Sequence, residues 1–319
     1  MINRYLLIAI LGGLAFSNAA QAHGDHCEAI AASVADAGFD DSVTVTCTDA
    51  HAVLRSDTYP DHEMMTGITG TNEQVPVPAD YAAPILLDPV PGMMPLTRDS
   101  ALGVAVNGVP IFDYTAGGEM SQSDLAHHQA HHDTIQTGQL DVCGGHAGRG
   151  DDYHYHAEPT CMIAQMENSG PGAVIGWAFD GYPIYGRLNP DGTAIPEGAL
   201  DICNGQPDET FGYRYHTSED APYIVQCLMG EVAAFDTLPR VRVLTAVDGG
   251  SVSLGRPPSG GVEGLAFTES PDGQRSMDYS YEGEDYYIRY APSETPGCYD
   301  VTTRTVTNAG EVVSGEYCR

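Results

Sequence analysis

A chain of 319 residues with 44 acidic residues against 13 basic ones, all of the latter arginine, carries a formal charge of −31. That much negative charge disfavours nucleic acid and anionic membrane surfaces as partners. It fits a surface adapted to salt, where a Debye length of roughly 8 Å or less screens the repulsion; no carboxylate run has the spacing of a calcium loop, so stretches such as GGVEGL and SPDGQ offer calcium only weak surface sites.

At the start of the chain Arg4 precedes the apolar run LLIAILGGLAF, which gives way to Ala20-Gln21-Ala22, the usual form of a signal-peptidase site. The run is too short for a comfortable membrane span, and no cysteine follows the cut to carry a lipid. Residues 1–22 therefore read as a signal peptide. The remainder reads as a periplasmic or extracellular protein without membrane insertion. Cleavage would leave His23 at the new terminus, where its amine and ring, with His26 close by, offer a chelate for copper.

Eight cysteines fit an oxidising compartment. They fall into four sequential pairs, Cys27–Cys47, Cys143–Cys161, Cys203–Cys227 and Cys298–Cys318. The last has a physical argument, because TTRTVTNAGEVVSGEY reads as a hairpin turning near Asn308-Ala309-Gly310. The other three rest on proximity alone. Closing a loop of that size contributes roughly 3 kcal/mol in the chain-entropy picture.

Short Tyr- and Val-rich segments between Gly, Pro, Asn and Asp turns predict a β-rich fold, with short helices near 26–37 and 121–133. Within it lies an internal duplication. GVAVNGVPIF at 103–112 aligns with GWAFDGYPIY at 176–185, LDVCGG at 140–145 with LDICNG at 200–205, and Tyr153-His154-Tyr155-His156 with Tyr213-Arg214-Tyr215-His216. Two strand-loop-strand units, about 101–162 and 174–230, imply a pseudo-symmetric, disulfide-stapled core. Residues 23–235 form one unit of organisation. Residues 236–319, with PRVRVLTAV, DYYIRYA and the terminal hairpin, form a β extension or a small β domain.

In the first unit Ser121 and Asp124 resemble a capping box that opens a helix through HHQAHH. On such a helix His127 and His131, and His128 and His132, would stand roughly 5–6 Å apart as candidate zinc or copper pairs; the alternative is a solvated helix on an acidic surface. The stronger candidate is the strand Tyr153-His154-Tyr155-His156. Alternate residues of a strand share a face, which puts His154 and His156 on one side, roughly 6.5–7 Å apart along the chain. His146 can join them through the pliable loop of Gly144, Gly145, Gly148 and Gly150. Three imidazoles suit copper or zinc, while a hydrogen-bonded core network of tyrosines and histidines is the competing explanation. In the second unit Gln206 and Arg214 replace His146 and His154, which separates scaffold tyrosines and cysteines from candidate chemistry. Met64, Met65, Met93, Met94 and Met120 flank these motifs and would suit cuprous copper, or fill core gaps.

The ordered motifs SDTYPDH, GVAVNGVPIFD, LDVCGGH, DYHYHAEPTC, GWAFDGYPIYG and YRYHTSEDAPYIVQCLMG resemble the secreted YHYH-domain proteins over about residues 40–230. The resemblance implies a histidine set of His62, His146, His154 and His156, and it supplies a domain, not a reaction. His62 enters mainly on this ground, against a structural role beside Asp61. The HHQAHH run and His216 depart from the pattern.

Three function classes follow. The first is an exported protein that sequesters or delivers copper or zinc. The second is a metal-dependent hydrolase or oxidoreductase with an open position on three histidines, drawing on Asp152, Asp180 or Tyr185. The third is an acidic structural or adhesive surface protein. No nucleophile elbow, phosphate loop or dinucleotide fingerprint is present.

Overall fold

The computed structural model describes residues 18–70, 72, 76–117, 120–148, 152–233, 238, 245–246, 261–296, 298–306 and 309–318. Residues 1–17 of the expected leader, Gly150, Asn308 and most of PRVRVLTAV lie outside them. Among the described residues no helix is long and apolar enough to cross a membrane.

Helix α1 (Asn18–Asp36) begins before the expected 26–37 and buries Cys27, Ile30 and Val34, spaced at one helical face. Its His26 is buried, with the ring 5.4 Å from Trp177 and 5.5 Å from Phe211. That side chain is part of the core and not of a terminal copper chelate. Strands β1 (Thr44–Cys47), β2 (His51–Ser56) and β3 (Tyr81–Leu86) pair antiparallel, and the alternation of β2 and β3 turns Ala52, Leu54, Ala83 and Ile85 inward. A separate pair joins β4 (Pro91–Leu96) to β13 (Leu228–Gly230).

The duplication becomes one eight-stranded sheet. The first unit supplies β5 (Gly103–Ala105), β6 (Pro110–Ile111), β7 (Gly145–Ala147) and β8 (Tyr153–Tyr155). The second supplies β9 (Gly176–Ala178), β10 (Pro183–Tyr185), β11 (Gly205–Asp208) and β12 (Gly212–His216). Their order, β11-β12-β10-β9-β5-β6-β8-β7, reads the same outward from the middle in both directions. The central pair β5 and β9 sets Val104 opposite Trp177, with Gly103 opposite Ala178 and Ala105 opposite Gly176. Val104 and Trp177 are themselves equivalent in the repeat, so a pseudo-two-fold axis passes between them. This centre is fully buried, and the Trp177 indole N–H donates to Ser33 Oγ on α1 at 2.9 Å.

The shared motif Leu-Asp-x-Cys-x-Gly has the same local job in both units. Asp141 accepts from the N–H groups of Cys143 and Gly145 and from Tyr153 Oη at 2.8 Å. Asp201 accepts from the N–H groups of Cys203 and Gly205 and from Tyr213 Oη at 2.7 Å. Glycine is required at 145 and 205 because an added Cβ would lie 2.6 Å from Tyr153 Oη and 2.2 Å from Tyr213 Oη. Asn107 and Asp180, also equivalent, hold the other tyrosine of each unit: Asn107 Nδ2 donates to Tyr155 Oη at 3.0 Å, and Tyr215 Oη donates to Asp180 at 2.5 Å. The tyrosines are scaffold.

Helix α2 (Gln122–Leu125) stops after four residues, and α3 (Thr160–Gln165) follows β8. The capping box is present at Ser121 and Asp124, yet the helix expected through 133 is not formed. Asp133 is fully buried and accepts from the Gln136 N–H, His128 Nε2 and Tyr223 Oη, and the Thr134 N–H donates to the Tyr114 carbonyl. Those long-range bonds outweigh local helix propensity and turn the segment into a loop.

The C-terminal strands β14 (Thr245–Ala246), β15 (Glu263–Glu269), β16 (Arg275–Tyr281), β17 (Glu284–Pro292), β18 (Cys298–Arg304) and β19 (Val312–Cys318) make their own antiparallel sheet in the order β14-β19-β18-β17-β16-β15. The expected hairpin joins β18 to β19, with Ala309 and Gly310 at positive φ in its turn. Disulfides join Cys27 to Cys47, Cys143 to Cys161 and Cys203 to Cys227. Cys298 is also disulfide-bonded, and the strand register sets it opposite Cys318.

Candidate metal centre

Strand β8 turns Tyr153 and Tyr155 to one side and His154 to the other, and His156 follows on the same side as His154. His146 arrives by a simpler route than loop folding: β7 pairs antiparallel with β8, and His146 is the direct cross-strand neighbour of His154. The three rings are 6%, 4% and 2% exposed for His146, His154 and His156. Their candidate ligand atoms all lie within 4.8 Å of one another. His154 Nε2 is 3.0 Å from His156 Nε2, which in turn is 3.1 Å from His146 Nε2.

The far side of each ring fixes its proton. His146 Nδ1 meets the Gln139 carbonyl at 3.0 Å, His154 Nδ1 the Asp152 carbonyl at 3.1 Å, and His156 Nδ1 the Asp113 carbonyl. A carbonyl can only accept, so each Nδ1 carries the hydrogen and each Nε2 points inward, presenting a lone pair when the ring is neutral. Burial opposes relief by protonation. It pushes His146 down to about 3, with the neighbouring His154 adding to the effect, and it pushes His156 well below the ordinary imidazole range. Three nitrogens bound tetrahedrally at about 2.0–2.1 Å would be roughly 3.3 Å apart, close to the 3.0 and 3.1 Å that separate His156 Nε2 from its two neighbours. The donor set therefore fits a copper or zinc ion, and lacks the oxygens that magnesium or calcium would need.

Groups around the trio complete a supporting shell. Phe112 stacks on His154 with centroids 4.0 Å apart. The Asp152 carboxylate is 3.4 Å from His154 Nδ1, beside the carbonyl that the ring already meets. A carboxylate at that position orients a ligating ring and raises its basicity. Were the trio to hold an ion, replacement of Asp152 by Asn would weaken its affinity by roughly 10- to 100-fold while leaving one ion bound at saturation, which a competitive chelator titration would measure.

Sequence reasoning also named residues that fall elsewhere. His62 lies across the strand from the trio: its Nδ1 donates to the Glu63 carbonyl and its Nε2 accepts from Tyr155 Oη at 2.5 Å. Its other near neighbours, the sulfurs of Cys143 and Cys161, are joined in a disulfide. His62 therefore belongs to the tyrosine scaffold and is not a fourth ligand. His127, His128, His131 and His132 do not form the two helical pairs, because the helix ends before them. His127 Nδ1 meets the Ser123 carbonyl, His128 Nε2 lies 2.7 Å from buried Asp133, and His131 and His132 are exposed. Asp180 and Tyr185 make their contacts in the second unit, Asp180 with Tyr215 and Gly230, and Tyr185 with the His216 ring. Of the three acid, base or hydrogen-bond candidates, Asp152 alone is seen touching the trio. Met64, Met65 and Met120 are buried in the core, and Met93 and Met94 are exposed.

Reasoning from residue types missed Phe112 and the carbonyls of Asp113 and Gln139. The carbonyls leave no trace in side-chain identity, whereas an aromatic residue closing GVAVNGVPIF was a readable signal.

No curated protein and no solved structure matches the chain. The family model described as YHYH protein matches residues 84–195, a shorter span than the motifs suggested and one that leaves His62 outside while enclosing His146, His154 and His156. The chain thus carries a YHYH domain, and the two histidines of its Tyr-His-Tyr-His run lie in the buried trio beside His146.

Proposed function

We propose that the protein is an exported metal-binding protein whose His146, His154 and His156 hold one copper or zinc ion. The observation that carries this reading is the inward convergence of three Nε2 lone pairs whose rings are each locked by an Nδ1–H bond to a backbone carbonyl. Lone pairs repel at such distances, and an ion turns the repulsion into bonding. Export is supported by the leader-like N-terminal sequence and by cysteines paired in disulfides, which suit a periplasmic or extracellular setting. Protein purified without an affinity tag is expected to contain about one copper or zinc per chain by elemental analysis. Metal-free protein that gains no ion on dialysis against either metal would sink the proposal.

Acid should act on the metal-free form in a defined direction. The unfolded His146 takes up a proton near 6.5, and the folded one resists it until about 3. The unfolded state thus binds more protons across that window, and folding stability falls as pH drops through it. Between about pH 7 and 5 the Tm of metal-free wild type is expected to fall more steeply than that of His146→Gln. Equal slopes would contradict the burial of a neutral ring.

A further inference from the structure

The second unit contains the same arrangement with a different solution to the same electrostatic problem. His216 matches His156, and its Nδ1 donates to the Gly186 carbonyl at 2.8 Å, as His156 does to Asp113, the residue equivalent to Gly186. Its Nε2 is likewise left as a lone pair. Where the first unit turns His146 and His154 toward that lone pair, the second turns two donors. Gln206 Nε2 donates to His216 Nε2 at 3.0 Å, and Arg214 Nε donates to the same atom at 3.0 Å. Gln206 and Arg214 face each other across β11 and β12 as His146 and His154 do across β7 and β8.

We infer that the Arg214 guanidinium takes, in the second unit, the place that a metal ion takes among the first unit's histidines, and that the ion is accordingly a clamp between strands. This rests on the metal reading above. The guanidinium is held from behind, by Asp208 at 2.7 Å and by Asn189 at 2.9 Å, so its charge is balanced and its plane is fixed. Asp208 is equivalent to Gly148, where an added Cβ would lie 2.5 Å from His154 Cε1. The carboxylate that a guanidinium needs is thus sterically excluded from the unit that has the histidine. In the second unit the guanidinium ties the outer strand, its neighbour and the segment after β10 together; in the first an ion would tie β7 to β8 and to His156, whose Nδ1 bonds the segment after β6 at Asp113. A group that does this in the second unit without any exchangeable ligand performs a mechanical task, and the first unit's ion inherits that task by symmetry.

The test is to rebuild the second site in the full chain. In Gln206→His/Arg214→His/Asp208→Gly, which gives position 208 the glycine that Gly148 supplies beside His154, zinc content after dialysis against zinc sulfate should rise from about one to about two ions per chain. The zinc-free variant should melt below zinc-free wild type, and zinc should restore the difference. Zinc content unchanged from wild type, a lowered Tm that zinc does not recover, or failure to fold with zinc as well as without it would overturn the inference. Arg214→Met supplies a second arm: it removes the cation and keeps the stem, and it should lower Tm equally with and without zinc. An unchanged Tm there would also overturn the clamp. Wild type that takes up neither zinc nor copper would overturn the metal reading itself, whereas wild type that binds an ion beside a triple variant that gains none would overturn the clamp alone.

Discussion

His154→Ala combined with His156→Ala is expected to reduce bound copper or zinc from about one ion per chain to none, with affinity reduced by well over roughly 100-fold. Two of three ligands disappear, and a single imidazole at His146 cannot retain an ion against a chelator. Loss of a supporting carboxylate, as in Asp152→Asn, leaves all three nitrogens and only loosens the orientation of one. The two variants should therefore separate in stoichiometry, not merely in degree. His127→Ala with His131→Ala serves as the comparison, because both side chains are exposed on a loop whose fold is set by buried Asp133. Metal content should be unchanged in that variant. A loss of metal there with the trio intact would move the ion to the loop.

Trp177→Ala is expected to cost about 4 kcal/mol of folding stability and roughly 10 °C in Tm. The indole is fully buried opposite Val104 at the pseudo-two-fold axis, meets the rings of His26 and Phe211, and donates to Ser33 on α1. Its removal opens a cavity where both units and the N-terminal helix meet, and strands too short to shift cannot close it. Urea unfolding of the metal-loaded protein measures the loss, with Met93→Ala as reference, since Met93 is 96% exposed and should change stability by no more than about 0.5 kcal/mol. Similar losses in the two variants would show that the axis is not the mechanical centre of the domain.

Much of this arrangement can be read from the chain alone. Period-two alternation was enough to bring His154 and His156 to one side, and the repeated motifs were enough to predict paired halves. Three cysteine pairs chosen by proximity are the disulfides formed. What could not be read depends on groups far apart in sequence or on the backbone. That β5 and β9 meet at the centre follows from how two units bury a common face, and no local motif encodes it. The helix through HHQAHH failed because Tyr114 and Tyr223, distant in the chain, supply better partners for Asp133 and Thr134. His62 entered through the resemblance to the family, and a resemblance does not say which face of a strand its histidine meets. The substitution of Arg214 and Gln206 for histidines was visible at once. Their role was not, because it lies in where the donors aim.

The two polar clusters also occupy a particular place in the sheet. β7 and β11 are its outermost strands, three and four residues long, and each is fastened inward through its second residue, His146 or Gln206. An exposed rim of a sheet is a template on which another chain can lay a strand, and proteins blunt such rims to stay apart from their neighbours. Here β7 is wholly buried, with backbone groups of Gly145 and Ala147 taken up by Asp141, Asn72 and Met65, and β11 offers only a short ladder in which Gln206 is turned back toward His216. The fold thus ends its central sheet at both sides in a way that discourages extension by a second copy, on one side by covering the strand and on the other by keeping it short.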